Sequence, residues 1–229
     1  MGSHMTRERQ MHGFRIFAPR YAAVSAAMAI LIAGAARVEA GCADLARSAS
    51  VSASGEPARV VVREGSGSEG AATLGGKVLG AADGSTRVET RFTIRQQSDG
   101  GGHVCTVVDR AEVRVGFDGP VRVDVSPRYR PGSCEHDAIK AHEMQHVGLM
   151  EGAVRDGAYA GRRSLEAAAA GWWREGRIGR EAATAEVEAL LRGVAARIKA
   201  DVDRQIRERN LRLDSPSEYR SVLTRCTNW

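Results

Sequence analysis

The sequence predicts an α+β fold, an antiparallel β meander followed by a long helical hairpin. Three observations lead there. Apolar and polar residues alternate over residues 57–127, the period of half-buried strands. From Ser133 onward the apolar residues recur at helical spacing. A break at Gly171-Trp172-Trp173-Arg174-Glu175-Gly176 then divides the helical part in two.

Residues 1–5 (MGSHM) are an expression-tag remnant and carry no fold information. Residues 6–40 read as a signal peptide. Arg7, Arg9, Arg15 and Arg20 precede an apolar run from Tyr21 to Ala36, and Val38-Glu39-Ala40 forms a small-x-small exit, so cleavage is expected after Ala40. The run falls short of the ~20 apolar residues of a spanning helix, so no membrane span is expected once the signal is removed. Lipidation of Cys42 is the alternative, although Glu39 stands where such a signal wants an aliphatic residue. The expected location is periplasmic or secreted.

The remainder, residues 41–229, has the size of a single domain, β-rich over 57–127 and helical over 133–225. Its four cysteines, in an oxidising compartment, predict two disulfides. Four cysteines allow three pairings. Cys105–Cys134 with Cys42–Cys226 is the expected one, because the second bridge ties down two loose termini. The formal charge of +5 comes from arginines dispersed among Glu and Asp, without a basic block. That pattern argues against a nucleic-acid partner and leaves weak attraction to an anionic envelope.

Strands are expected over Ala58 to Arg63, Arg87 to Arg95, His103 to Phe117 and Val121 to Val125. In the second of these Val88, Phe92 and Ile94 face one side while Arg87, Glu89, Arg91 and Arg95 face the other. Residues 64–85, rich in Gly, Ser and Ala, read as a loop. The helices are expected over Glu135 to Ala170 and Arg180 to Asn210. Trp172 and Trp173 are expected to pack over the joint between them.

The first helix carries His142-Glu143-Met144-Gln145-His146. At about 100° per residue, Ala138, Ile139, His142, His146, Leu149, Met150, Ala153 and Gly157 share one stripe, so both imidazoles face inward. Side chains at i and i+4 are near enough to converge on a single zinc ion. Glu143 is rotated about 100° away, which suits a general base acting on a zinc-bound water rather than a ligand. This is the HExxH arrangement of zinc peptidases.

A catalytic zinc needs a third protein ligand and one open position. No histidine follows His146, and Leu149 and Gly152 stand where an extended HExxHxxGxxH motif needs Gly and His. His136 points away from His142, Asp156 lies too far along the helix, and no spacing rule tests His103. On the second helix Asp201, Gln205 and Glu208 intrude on the apolar stripe of Val187, Leu191, Val194, Ile198 and Val202, whereas Asp203 points to solvent. Glu208 is the expected third ligand, with Asp201 the runner-up, and the other acid is then free to orient a histidine.

With its signal peptide, strand-to-helix order and the stretch KAHEMQHVGLMEGAVRD, the chain resembles the bacterial secreted proteins described as predicted zinc-dependent proteases. Residues 203–209 are similar to that family's downstream D-x-x-T-x-H-G segment, with Ile206, Glu208 and Arg209 in place of Thr, His and Gly. The resemblance implies a periplasmic or extracellular metallopeptidase and no known substrate. The expected function is a gluzincin-like zinc metallopeptidase acting on proteins or peptides of the cell envelope, with Glu143 as general base. The alternative is a non-catalytic secreted module whose histidine pair braces the helical hairpin. Tyr129, Tyr159 and Tyr219 are unranked candidates for oxyanion stabilisation.

Overall fold

The computed structural model describes residues 41–64, 73–74, 77–98 and 103–229, so the expected tag remnant and the expected signal peptide lie outside the described residues. A helical segment at residues 41–47 (α1) leads into β1 (Ser50–Gly55), β2 (Val60–Glu64), β3 (Thr73–Leu74), β4 (Lys77–Val78) and β5 (Gly80–Asp83). There follow β6 (Thr86–Ser98), β7 (Val104–Phe117), β8 (Val121–Val125), α2 (Cys134–Gly171), β9 (Trp173–Glu175), α3 (Arg180–Leu213) and α4 (Pro216–Leu223). Sheets followed by long helices make this an α+β protein, as the periodicity predicts.

The longest alternating segment forms the central strand. β7 pairs antiparallel with β6 from Phe117 opposite Thr86 to Val104 opposite Ser98, with a register shift at Thr93/Ile94. Its other edge is shared, β1 running parallel along Arg110–Val115 and β9 antiparallel along Cys105–Val107. A second sheet places β8 between β2, which is parallel to it, and β5, which is antiparallel.

The strands are therefore not a simple meander. The chain passes twice, side by side and in the same direction, from the first sheet to the second. The amide of Glu56 donates to Val115 O, and that of Val121 to Arg59 O, each at 2.8 Å, where the two passes bend. Parallel neighbours need a long connection between them, and β3 to β6 supply it. Residues 64–85 are not wholly loop, since β3, β4 and β5 fall within them. Their Gly/Ala content hides the strands from a periodicity reading, and β1, with its serines, is hidden in the same way.

Helix α2 begins at Ser133, whose hydroxyl accepts the His136 amide at 3.2 Å, and Glu135 and Asp137 place negative charge in its first turn. It lies across β1 and β7 and reaches β5 and β8, while α3 packs on α2, β6 and β7. Two glycines let the helices approach. A Cβ on Gly157 would stand 2.3 Å from Val202 Cγ2, and one on Gly161 would stand 2.9 Å from Ile198 Cδ1. With Ala183, Val187, Leu191, Val194 and Ile206 these residues continue into the core formed with Val113, Val115 and Phe117.

At the joint, Trp172 is buried and its Nε1 donates to Glu186 Oε2 at 3.3 Å, whereas Trp173 belongs to β9. The disulfides number two, as expected, but pair differently. Cys42 joins Cys105 and Cys134 joins Cys226, with Cα separations of 5.4 and 5.9 Å. The expected Cys105–Cys134 and Cys42–Cys226 pairing fails because Cys105 sits on β7 beside α1, while Cys134 opens α2 beside the residues that follow α4. Among the described residues no helix is long and apolar enough to cross a membrane. Both bridges are compatible with an oxidising, extracytoplasmic setting.

Candidate metal centre

His142, Glu143 and His146 lie on the buried side of α2, each at most 5% exposed. The rings of His142 and His146 approach edge to face with centroids 5.0 Å apart. Asp214, at the corner between α3 and α4, completes the cluster. Its Oδ1 lies 3.0 Å from His146 Nε2 and 3.5 Å from His142 Nε2. One donor atom from each of these three residues falls within 4.8 Å of the others, so the group could hold a metal ion.

The donor chemistry fits a cation. His146 Nδ1 faces Asn210 Oδ1, an acceptor, at 3.1 Å, so Nδ1 carries the ring hydrogen. Nε2 then presents its lone pair to the Asp214 carboxylate, and something positive has to stand between them. His142 Nε2 is buried without a hydrogen-bond partner and faces the same space. A shared proton can substitute for an ion. Burial disfavours charge on His146, yet hydrogen bonds to Asp214 and Asn210 outweigh it and raise its pKa. Burial works against the Asp214 carboxylate as well, but the proximity of His142 and the hydrogen bonds of His146 and Tyr219 hold it well below the usual range.

Glu143 is not among the donors. Burial pushes its carboxyl up to about 7, with His146 and His142 opposing and the Asp214 and Asp124 charges adding to the rise. Gly80 of β5 packs directly on it, since a Cβ there would lie 2.8 Å from Glu143 Oε1, 2.8 Å from Ile139 Cγ2 and 2.9 Å from the Asp124 carbonyl. Tyr219 of α4 closes another side. Its hydroxyl donates to Asp214 Oδ1 at 3.2 Å, and its ring lies 5.1 Å from that of His142. Burial and the neighbouring Asp214 and Glu143 charges raise its pKa, so the hydroxyl remains a donor.

The two histidines meet as the motif predicts, but neither acid expected as third ligand joins them. Glu208 and Asp201 are exposed and both pair with Arg204, at 3.2 and 3.1 Å. Four-residue spacings from Ile198 to Val202 to Ile206 carry the buried stripe forward by about 40° per step, away from both acids. Asp203, expected in solvent, instead accepts hydrogen bonds from Thr86 and from Lys199 Nζ. His136 is buried against Asp137, Asp156 pairs with Arg209, and His103 precedes β7 at an exposed position. Of the three tyrosines only Tyr219 touches the cluster. Tyr159 is 68% exposed, and Tyr129 packs against Trp229.

Asp214 could have been found from the stretch that follows it. Ser215-Pro216-Ser217-Glu218 is a helix start with Ser215 as cap and Pro at the first position, so α3 has to end before it. The carboxylate just ahead of that cap is brought back over α2. Comparison with known protein families, curated proteins and solved structures finds no match.

Proposed function

We propose that the protein is a zinc-dependent metallopeptidase of the cell envelope or its exterior, with His142, His146 and Asp214 as ligands and Glu143 as general base. The observation that supports it best is the pairing of three convergent donors with a buried carboxyl outside the donor set whose pKa is raised to about 7. Three protein ligands suit a catalytic zinc, whereas a structural one takes four. Zinc, when bound, supplies Lewis-acid activation of water and of the scissile carbonyl. Glu143 takes the proton released from water and returns it to the leaving amine, a task that favours a pKa near the working pH. A neighbouring cation favours the Glu143 carboxylate, and burial favours its protonated form, so the two influences keep both states within reach. Gly80 and Ile139 exclude bulk water from one side of that carboxyl.

Elemental analysis of protein purified without chelators, together with hydrolysis of an unstructured protein substrate, tests the proposal. Glu143→Gln should keep zinc and lose hydrolysis by several orders of magnitude, and Asp214→Ala should lose both. Glu208→Ala should change neither, which separates the corner carboxylate from the helix one. Hydrolysis at the wild-type rate by Glu143→Gln would refute the mechanism. Stoichiometric zinc without hydrolysis of any substrate would leave the bracing role.

A further inference from the structure

Two of the three donor residues are held by neighbours from one short stretch of chain, residues 210–219. Asn210 touches both. Its side-chain Oδ1 accepts from His146 Nδ1 at 3.1 Å, and its backbone carbonyl accepts the Asp214 amide at 2.8 Å. Tyr219, one turn into α4, donates its hydroxyl to Asp214 Oδ1 at 3.2 Å while its buried ring packs on His142. We propose that Asn210 and Tyr219 are the positioning residues of the metal centre. Asn210 fixes the His146 tautomer that presents Nε2, and Tyr219 holds Asp214 Oδ1 turned toward it. The inference rests on His142, His146 and Asp214 being the ligands, and it names two further residues on which their affinity depends.

The chemical reason lies in the two nitrogens of the imidazole. A neutral ring carries its hydrogen on one nitrogen and a lone pair on the other, and only the lone pair binds a cation. With Asn210 Oδ1 facing Nδ1, the hydrogen is retained there and Nε2 is left free. Without that acceptor the ring can put its hydrogen on Nε2, toward the Asp214 carboxylate 3.0 Å away, and so close the site with a hydrogen bond in place of an ion. Asp214 has the opposite need. It stands at the end of α3, 33% exposed at its side chain, and a carboxylate in that position turns to water unless something holds it. The Tyr219 hydroxyl does so on the oxygen that faces both histidines. Neither neighbour adds a ligand atom to the set, and both reduce the ordering that binding an ion requires.

Zinc affinity of the full chain, measured by competition with a chromophoric chelator, tests this without reference to activity. Asn210→Ala and Tyr219→Phe should each weaken zinc binding by about 10–100-fold. Tyr219→Phe keeps the ring on His142, so melting of the metal-free protein reports whether packing survives. Asn210→Asp retains the acceptor and should recover most of the affinity lost in Asn210→Ala, whereas a purely space-filling role would treat the two alike. The ring ¹⁵N shifts of His146 in the zinc-loaded protein should show hydrogen on Nδ1 in the wild type and a mixture of tautomers in Asn210→Ala. Tyr159→Phe, at an exposed site, should match the wild type. Unchanged affinity in both Asn210→Ala and Tyr219→Phe, with loss in His142→Ala, overturns the positioning roles and leaves the metal centre standing. Equal loss in Asn210→Asp and Asn210→Ala overturns the tautomer role. Unchanged affinity in His142→Ala overturns the metal centre and this inference together.

Discussion

Glu143 holds a proton in the folded, metal-free protein over a pH range in which the unfolded chain has released it. Its pKa is about 7 in the fold against an ordinary 4.5. Between those values the folded state binds the extra proton, so this group's contribution to stability falls as pH rises, by up to about 3 kcal/mol in all. His146 acts in the same sense. Its raised pKa contributes stability that is complete below its ordinary value and is lost as pH rises through the folded one. Asp214, with a lowered pKa, contributes above its ordinary value and loses that contribution only as pH falls through the folded one. Chelator-treated protein is therefore expected to be more stable in denaturant at pH 5 than at pH 8. Glu143→Gln should remove much of that difference by stabilising the protein at pH 8. A variant no more stable than the wild type at pH 8 would show that the carboxyl is not strained by burial.

Helices α2 and α3 meet over Gly157 and Gly161, and this close approach carries Asn210 and Asp214 back onto the histidine turn. Gly157→Ala brings a methyl group against Val202, 2.3 Å from Cγ2, and is expected to destabilise the protein by about 1–3 kcal/mol. Adding Val202→Ala should relieve part of that loss, and a double-mutant cycle by chemical denaturation measures how much. If the two substitutions are simply additive, the glycine is not what sets the spacing. Gly80→Ala acts on the other side of the site. Two of its three neighbours are the Asp124 backbone and the Glu143 carboxyl, so the Glu143 side chain is expected to shift and, with Glu143 as the proposed general base, hydrolysis to fall more than zinc affinity.

Taken as a whole, the molecule is tied at two places with different consequences. Cys134–Cys226 links the first turn of α2 to the residues after α4, spanning 92 positions, and so encloses the segment that supplies Asn210, Asp214 and Tyr219. Cys42–Cys105 fastens α1 to β7. Loss of either native bridge is expected to cost about 2–5 kcal/mol. Replacing Cys134 and Cys226 with serine should also weaken zinc binding, because α4 is no longer anchored to α2, whereas replacing Cys42 and Cys105 should leave the affinity unchanged. Equal zinc affinity in the two double variants would mean that α4 holds its place without the bridge.

The helix bearing His142, Glu143 and His146, the buried stripe of α3 and the paired strands β6 and β7 are legible in the chain itself. Each depends on periodicity within one element, and the side chain's face follows from its own spacing. The i and i+4 histidines meet for the same local reason. Which carboxylate reaches them is a different kind of question. Glu208 and Asp201 lie on α3 near its apolar stripe, but the buried stripe drifts away from them and they pair outward with Arg204, while the reversal into α4 brings in Asp214. Disulfide partners and the parallel pairings of β1 and β2 likewise depend on which distant segments lie side by side. Sequence spacing governs direction within an element. Contacts between residues more than 60 positions apart, such as His146 with Asn210 and Asp214, are decided only when the core closes and sets where one element ends against another.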